Sequence, residues 1–137
     1  MEFPELYELA KEKQNPRVIS PFITAGAVSA AIVTASGNVF TGVCIDTACT
    51  LGMCAERNAV ANMITNGESQ IVKLVCVVAD GSVGSPCGAC REYLMQLHPQ
   101  NRYIEIAKNI STGQTITLDT LIPDWWGDKR YAESANT

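Results

Sequence analysis

Apolar residues recur along the chain in two rhythms, one near 3.6 residues and one near 2, and each change of rhythm predicts an element. Leu6, Leu9 and Ala10 stand at helical spacing among charges, so residues 4–14 read as a short amphipathic helix ended by Asn15 and Pro16. Residues 27–35 and 39–46 are rich in valine, isoleucine and alanine and predict two strands joined at Gly37 and Asn38. Residues 54–66 predict a helix whose stripe is Ala55, Ala59, Val60, Met63 and Ile64, closed by Asn66 and Gly67. Residues 71–79 form a nearly unbroken β-branched run, the mark of a central strand covered on both faces.

A second helix opens near Cys87. Residues 102–107 and 114–118 predict two more strands around Gly113, and residues 118–123 a last helical turn before an aromatic tail. The order strand, strand, helix, strand, helix, strand, strand implies an α/β domain over residues 1–137, a mixed sheet with helices packed on it. No internal repeat, low-complexity segment or linker interrupts it.

Composition narrows the partners. With 137 residues and 47% hydrophobic content the chain can bury a core, and a net charge of −4 offers no broad attraction to a nucleic-acid backbone. No basic run supplies a channel for a strand, so a small molecule is the expected partner rather than nucleic acid. The longest apolar tract, residues 25–45, is cut by Ser36, Gly37 and Asn38 into pieces too short to span a bilayer, so no membrane is expected. The N-terminus carries acids and a proline where a secretory leader shows basic residues and an apolar run, which points to the cytoplasm.

The six cysteines then have to be explained in a reducing compartment, where metal binding or chemistry is favoured over a disulfide framework. Cys87 and Cys90, in "SPCGACREYL", share one face of a helical turn whose free backbone N–H groups favour thiolate. Alone, that pair suits a metal or a thioredoxin-like redox centre. The second element is "LGMCAERNAV", where Cys54 precedes Glu56 by two positions. Residues so spaced do not share a helix face, so both reach one centre only if Cys54 sits at the helix mouth in non-helical geometry.

Three cysteines then provide three zinc ligands and leave the fourth tetrahedral position for water, with Glu56 as proton carrier. A closed structural site would need a fourth donor from Cys44, Cys49, Cys76 or His98. His98 lies about 12 Å beyond Cys90 along a continuous helix, and Cys76 sits within an apolar strand. Cys44 and Cys49 remain open by position.

C-A-E at 54–56 followed by P-C-G-A-C at 86–90 resembles the signature of the cytidine deaminase family, the zinc-dependent nucleoside deaminases, in its three-cysteine form. The likeness runs from near Val28 to near Gly127. It implies a three-layer α/β/α sandwich, a homotetramer, and Zn²⁺ held by Cys54, Cys87 and Cys90. The metal lowers the pKa of a water that attacks the amino-bearing C4 of a cytosine nucleoside, while Glu56 moves the protons. It further implies that Arg57 hydrogen-bonds ligand sulfur, offsetting the net −1 of three thiolates around a divalent ion. Ser85, restricted to extended geometry by Pro86, turns its carbonyl to the leaving amino group, and backbone groups of Ala55 contact the pyrimidine. "LIPDWWGD" is similar to the family's L-L-P-x-x-F-G and puts Trp126 where an aromatic stacks on a substrate ring, generally in a neighbouring subunit.

The departures fall at the sugar end. Family members that bind cytidine usually carry N-x-E at the end of the second strand, to bond the ribose hydroxyls. Here "CID" puts Cys44 for the asparagine and Asp46 for the glutamate, a weak hydrogen-bond partner and a shorter reach. F-x-V-G-A-A is altered to "GAVSAA". With "CREYLMQLHP" these changes look somewhat like blasticidin-S deaminases, which carry out the same chemistry on a cytosine nucleoside with a modified sugar. The expectation is therefore hydrolytic deamination of cytidine or deoxycytidine, with a modified cytidine behind it and a non-catalytic zinc module more distant.

Overall fold

The computed structural model describes residues 1–135; the expected end of the domain at residue 137 lies outside them. Helix α1 (Phe3–Lys13) begins with a proline at its start and buries Leu6 and Ala10. Strand β1 (Arg17–Ser20) follows, then the long β2 (Ile23–Thr34) and β3 (Val39–Thr47). Helix α2 (Ala55–Thr65), β4 (Ile71–Val77) and α3 (Gly88–Leu97) carry the middle of the chain. A 3₁₀ turn (Pro99–Tyr103), β5 (Glu105–Asn109), β6 (Gln114–Thr117), α4 (Leu118–Leu121) and α5 (Asp128–Ala135) complete it.

The six strands form one mixed sheet. Along one side of β2 lies β3; along the other lie β1 and then β4. Strand β4 pairs antiparallel with β2, Ala30 opposite Cys76, and parallel with β5, Leu74 opposite Ile106. The return strand β6 closes that edge. Alternation along β2 and β4 splits the core in two. Ala31, Val33, Val75 and Val77 face α1 with Leu6 and Ala10, whereas Ile32, Leu74 and Cys76 face α2 and α3 with Val60, Met63 and Leu94. This is the expected three-layer arrangement, with β4 covered on both faces. Each fully buried Leu, Ile or Val contributes about 1.5–3 kcal/mol, so the two faces together hold the sheet as a rigid platform.

Helix α2 is seated against the edge strand β3 by two devices. Asn58 and Asn62, one turn apart, donate from Nδ2 to the carbonyls of Val43 at 3.1 Å and Thr41 at 2.8 Å. Between those carbonyls Gly42 lets the helix approach so closely that a Cβ there would collide with backbone of Ala55 and Ala59. The helix ends as expected at Asn66 and Gly67, where Gly67 takes φ +87° and donates to Ile64.

Several expectations need correction. Ile64, assigned to the buried stripe of α2, is 45% exposed. Strand β2 begins four residues earlier than residue 27, and β1 was not foreseen, because its residues are almost all exposed and show no alternation. Residues 102 and 103 belong to the 3₁₀ turn rather than to β5. Fully buried Asn101 fixes that turn: its Oδ1 accepts from Ile71 N at 2.9 Å and its Nδ2 donates to Leu94 O at 3.0 Å and Ser69 O at 3.2 Å. The aromatic tail continues into α5, which Tyr131 ties to α3 by donating to Met95 O at 2.5 Å. Among the described residues no helix is long and apolar enough to cross a membrane.

Candidate active site

Both cysteine-bearing segments enter helices in the same way. Cys54 is the N-cap of α2 at φ −68°, ψ 152°, and Cys87 the N-cap of α3 at φ −68°, ψ 169°. Both are extended, as the two-residue spacing of Cys54 and Glu56 required. Neither side chain caps its own helix, so both thiols are free to point elsewhere. Cys54 is carried to its place by a two-bond bridge, in which Ile45 and Met53 exchange N–H···O hydrogen bonds of 2.9 Å and pin the approach to α2 against β3.

The three sulfurs of Cys54, Cys87 and Cys90 meet. They lie within 4.8 Å of one another, and the Cys54–Cys87 pair is 3.7 Å apart. Two thiolates on one tetrahedral zinc, each at about 2.3 Å, stand about 3.8 Å apart, so this donor set fits Zn²⁺. Among the described residues no fourth His, Cys, Asp or Glu joins the group. The alternative donors lie outside the group. Cys44 Sγ accepts from Val28 N at 3.3 Å, Cys49 is exposed beside Thr47, Cys76 is buried on β4, and His98 Nδ1 accepts from Gln100 N at 3.0 Å.

Glu56 is 5% exposed, and its Oε2 accepts from the Cys90 thiol at 3.8 Å. Burial and then the Glu56 carboxylate push the Cys90 thiol well up. Cys87 moves the other way: burial raises it, but hydrogen bonds from the Cys90 and Ala89 backbone and from the Cys90 and Cys54 side chains outweigh that and lower it. Cys76, behind the cluster, is likewise raised by burial and then by Glu56, so it stays a neutral thiol.

Arg57 lies against the same sulfurs. Burial lowers its pKa, yet the nearby Cys54 and Cys90 sulfurs raise it on balance. Its Nη2 donates to Gly52 O at 3.0 Å, while its Nε is buried with no partner. An orphaned N–H beside thiols is costly unless those sulfurs become anionic acceptors, which is their state as metal ligands. Arg57, Cys54, Cys44, Asp46 and Met53 share a cavity of about 180 Å³. Along its β3 wall a bulge in β2 between Ala25 and Ser29 leaves Val28 N to the Cys44 sulfur, and exposed Asp46 is met by the Thr24 hydroxyl at 3.5 Å.

Of the remaining expected residues, Ala55 is buried at the open end of α2 and Ser85 is exposed beside buried Pro86. Trp126 lies outside the cavity, 62% exposed, with its Nε1 donating to Glu92 Oε1 at 3.1 Å and Arg130 over its ring. Trp125 is buried against Tyr131 and belongs to the core of its own chain. Sequence reasoning missed Met53 and Gly52 as cavity residues. Their position just before the N-cap cysteine was the available signal.

Comparison with known proteins agrees with this geometry. The profile of the cytidine and deoxycytidylate deaminase zinc-binding region matches residues 6–106. Over 95 residues the chain is 30% identical to the cytidine deaminase of Mycoplasma genitalium, covering 68% of this chain and 73% of that protein. Over 97 residues it is 31% identical to the cytidine deaminase of Halalkalibacterium halodurans, covering 70% and 74%. The crystal structure of cytidine deaminase from Mycobacterium tuberculosis superposes with a TM-score of 0.75 at 27% identity, covering 93% of this chain and 98% of that one. With the matched region spanning both cysteine motifs and the whole sheet up to β5, the chain belongs to the cytidine and deoxycytidylate deaminase zinc-binding family.

Proposed function

We propose that this chain hydrolyses the exocyclic C–N bond of a cytosine nucleoside, converting cytidine or deoxycytidine and water into uridine or deoxyuridine and ammonia. One observation carries the reading: three sulfurs from two helix mouths converge beside a single buried carboxylate, with no fourth protein ligand among the described residues. That the relatives named above are cytidine deaminases supports the substrate class.

Cys54, Cys87 and Cys90 would hold Zn²⁺, which as a Lewis acid would lower the pKa of water and so supply the nucleophile. Glu56 carries the protons. The carboxylate takes one from the attacking water and delivers it to ring N3, then helps move the second onto the departing amino group, which leaves as ammonia. Burial holds this carboxylate in one orientation, so little is lost to reorganisation. Arg57 draws charge from the sulfurs. Backbone groups of Ala55 and the Ser85 carbonyl orient the polar edge of the pyrimidine.

At the sugar end Asp46 accepts from a hydroxyl, and Cys44 contributes shape more than hydrogen bonding. Trp126 stacks on a substrate ring of a neighbouring subunit in a homotetramer, a role supported by the anchoring of its exposed indole on Glu92. The cytoplasm suits a protein whose six cysteines are all free. Because the Cys44 sulfur is engaged by Val28 N, Asp46 is the one strong acceptor along that wall, which favours a modified cytidine such as blasticidin S as the second reading.

Ammonia release from zinc-loaded protein tests the proposal, across cytidine, deoxycytidine, free cytosine, N4-substituted cytidines and blasticidin S, with adenosine as control. Turnover is expected to be highest for cytidine or deoxycytidine. Preference for blasticidin S would shift the assignment to the second reading, and silence with every aminopyrimidine would leave a zinc-binding module without catalysis.

A further inference from the structure

The loop that carries Cys87 into the site is held from an unexpected direction. Pro86 is buried, and its carbonyl, lying just outside α3, needs a hydrogen-bond partner. Arg91, in the first turns of α3, supplies it, donating from Nε to Pro86 O at 2.8 Å. The same guanidinium donates from Nη1 to Leu121 O at 3.1 Å. Leu121 ends α4, a single turn whose last carbonyls have no acceptor role within the helix. One rigid planar group therefore clasps two backbone segments that are far apart in sequence. The next residue extends the clasp: Glu92 Oε1 accepts from Trp125 Nε1 at 3.0 Å and from Trp126 Nε1 at 3.1 Å.

We propose that Arg91 is a positioning residue for the zinc site, fixing the Ser85–Pro86–Cys87 loop so that Cys87 meets Cys54 and Cys90, and coupling that loop to the C-terminal segment 121–126. The inference rests on the zinc reading above. Cys87 is exposed and its side chain makes no cap hydrogen bond, so the position of its sulfur depends on the backbone just before it. Arg91 acts on that backbone through Pro86 O without touching substrate. A lysine keeps the charge and lacks the planar fork, so it can serve one carbonyl at a time.

The test uses the zinc-loaded protein and the variants Arg91→Lys, Arg91→Ala and, as control, Arg102→Gln. Arg102 pairs with Asp128 and bonds Pro99 O, so it also ties the C-terminal region down, but it does not contact the Pro86 loop. Three quantities are read: the rate of zinc release to a chelator, kcat and KM for cytidine, and Tm. Both Arg91 variants are expected to release zinc about tenfold faster or more and to lose kcat by a similar factor with KM little changed, the lysine less affected than the alanine. Arg102→Gln should lower Tm and leave zinc release at the parent rate.

Parent-like zinc release and kcat in both Arg91 variants overturns the proposal, as does equal acceleration in Arg102→Gln. Failure of both Arg91 variants to fold makes the residue purely structural and overturns it too. A parent protein that retains no zinc and deaminates nothing overturns the functional reading instead, which keeps the two failures apart.

Discussion

Where α2 and α3 begin, Cys90 is fully buried, Glu56 is 5% exposed, and three sulfurs from two segments crowd within 4.8 Å. On β3, joined to α2 through the Ile45–Met53 bridge, Cys44 is half-buried with its sulfur turned to Val28 N, and Asp46 is exposed with one long hydrogen bond. At the first end nearly every group is constrained by another, so few alternatives are compatible with the packing. At the second, one carboxylate faces solvent and can change partners. Under the function proposed above, reaction type belongs to the buried end and substrate identity to the open one, which is also where the sequence departs from the cytidine-binding pattern.

Substitutions at the two ends should therefore fail differently. The largest effect is expected at the buried end: Glu56→Gln keeps the size of the side chain, removes the proposed proton carrier, and should cut kcat by about 10²–10⁴-fold while zinc content and Tm stay near the parent values. Retained turnover in that variant would break the comparison, because the carboxylate would then have no task. A smaller effect is expected at the open end. Asp46→Ala removes the acceptor proposed for a sugar hydroxyl, and should raise KM about tenfold for the preferred nucleoside with kcat little changed. If kcat falls instead and KM does not move, Asp46 belongs to the chemistry and the division between the ends is wrong.

The same contrast explains what could be read from the sequence. The geometry of Cys54 followed from the two-residue spacing to Glu56, because only an extended N-cap lets both serve one centre, and φ −68°, ψ 152° is that conformation. The strand at β4 was legible because it is apolar on both faces. Strand β1 was not, since its pairing with β2 uses backbone groups and its side chains carry no pattern. Asn101 is a polar residue in a polar stretch, and only the tertiary fold turns it into a buried node joining Ile71, Ser69 and Leu94. The role of Arg91 is hidden from the sequence for the same reason. Its two acceptors are carbonyls, and a sequence carries no mark of which carbonyl a side chain will meet.

The central claim is that three sulfurs hold zinc with one position open to a non-protein ligand, and X-ray absorption at the zinc edge of the purified protein measures this directly. The expected first shell is three sulfur neighbours at about 2.3 Å and one light oxygen or nitrogen neighbour at about 2.0 Å, unchanged in Glu56→Gln. A shell of four sulfurs, or of fewer than three, would contradict it.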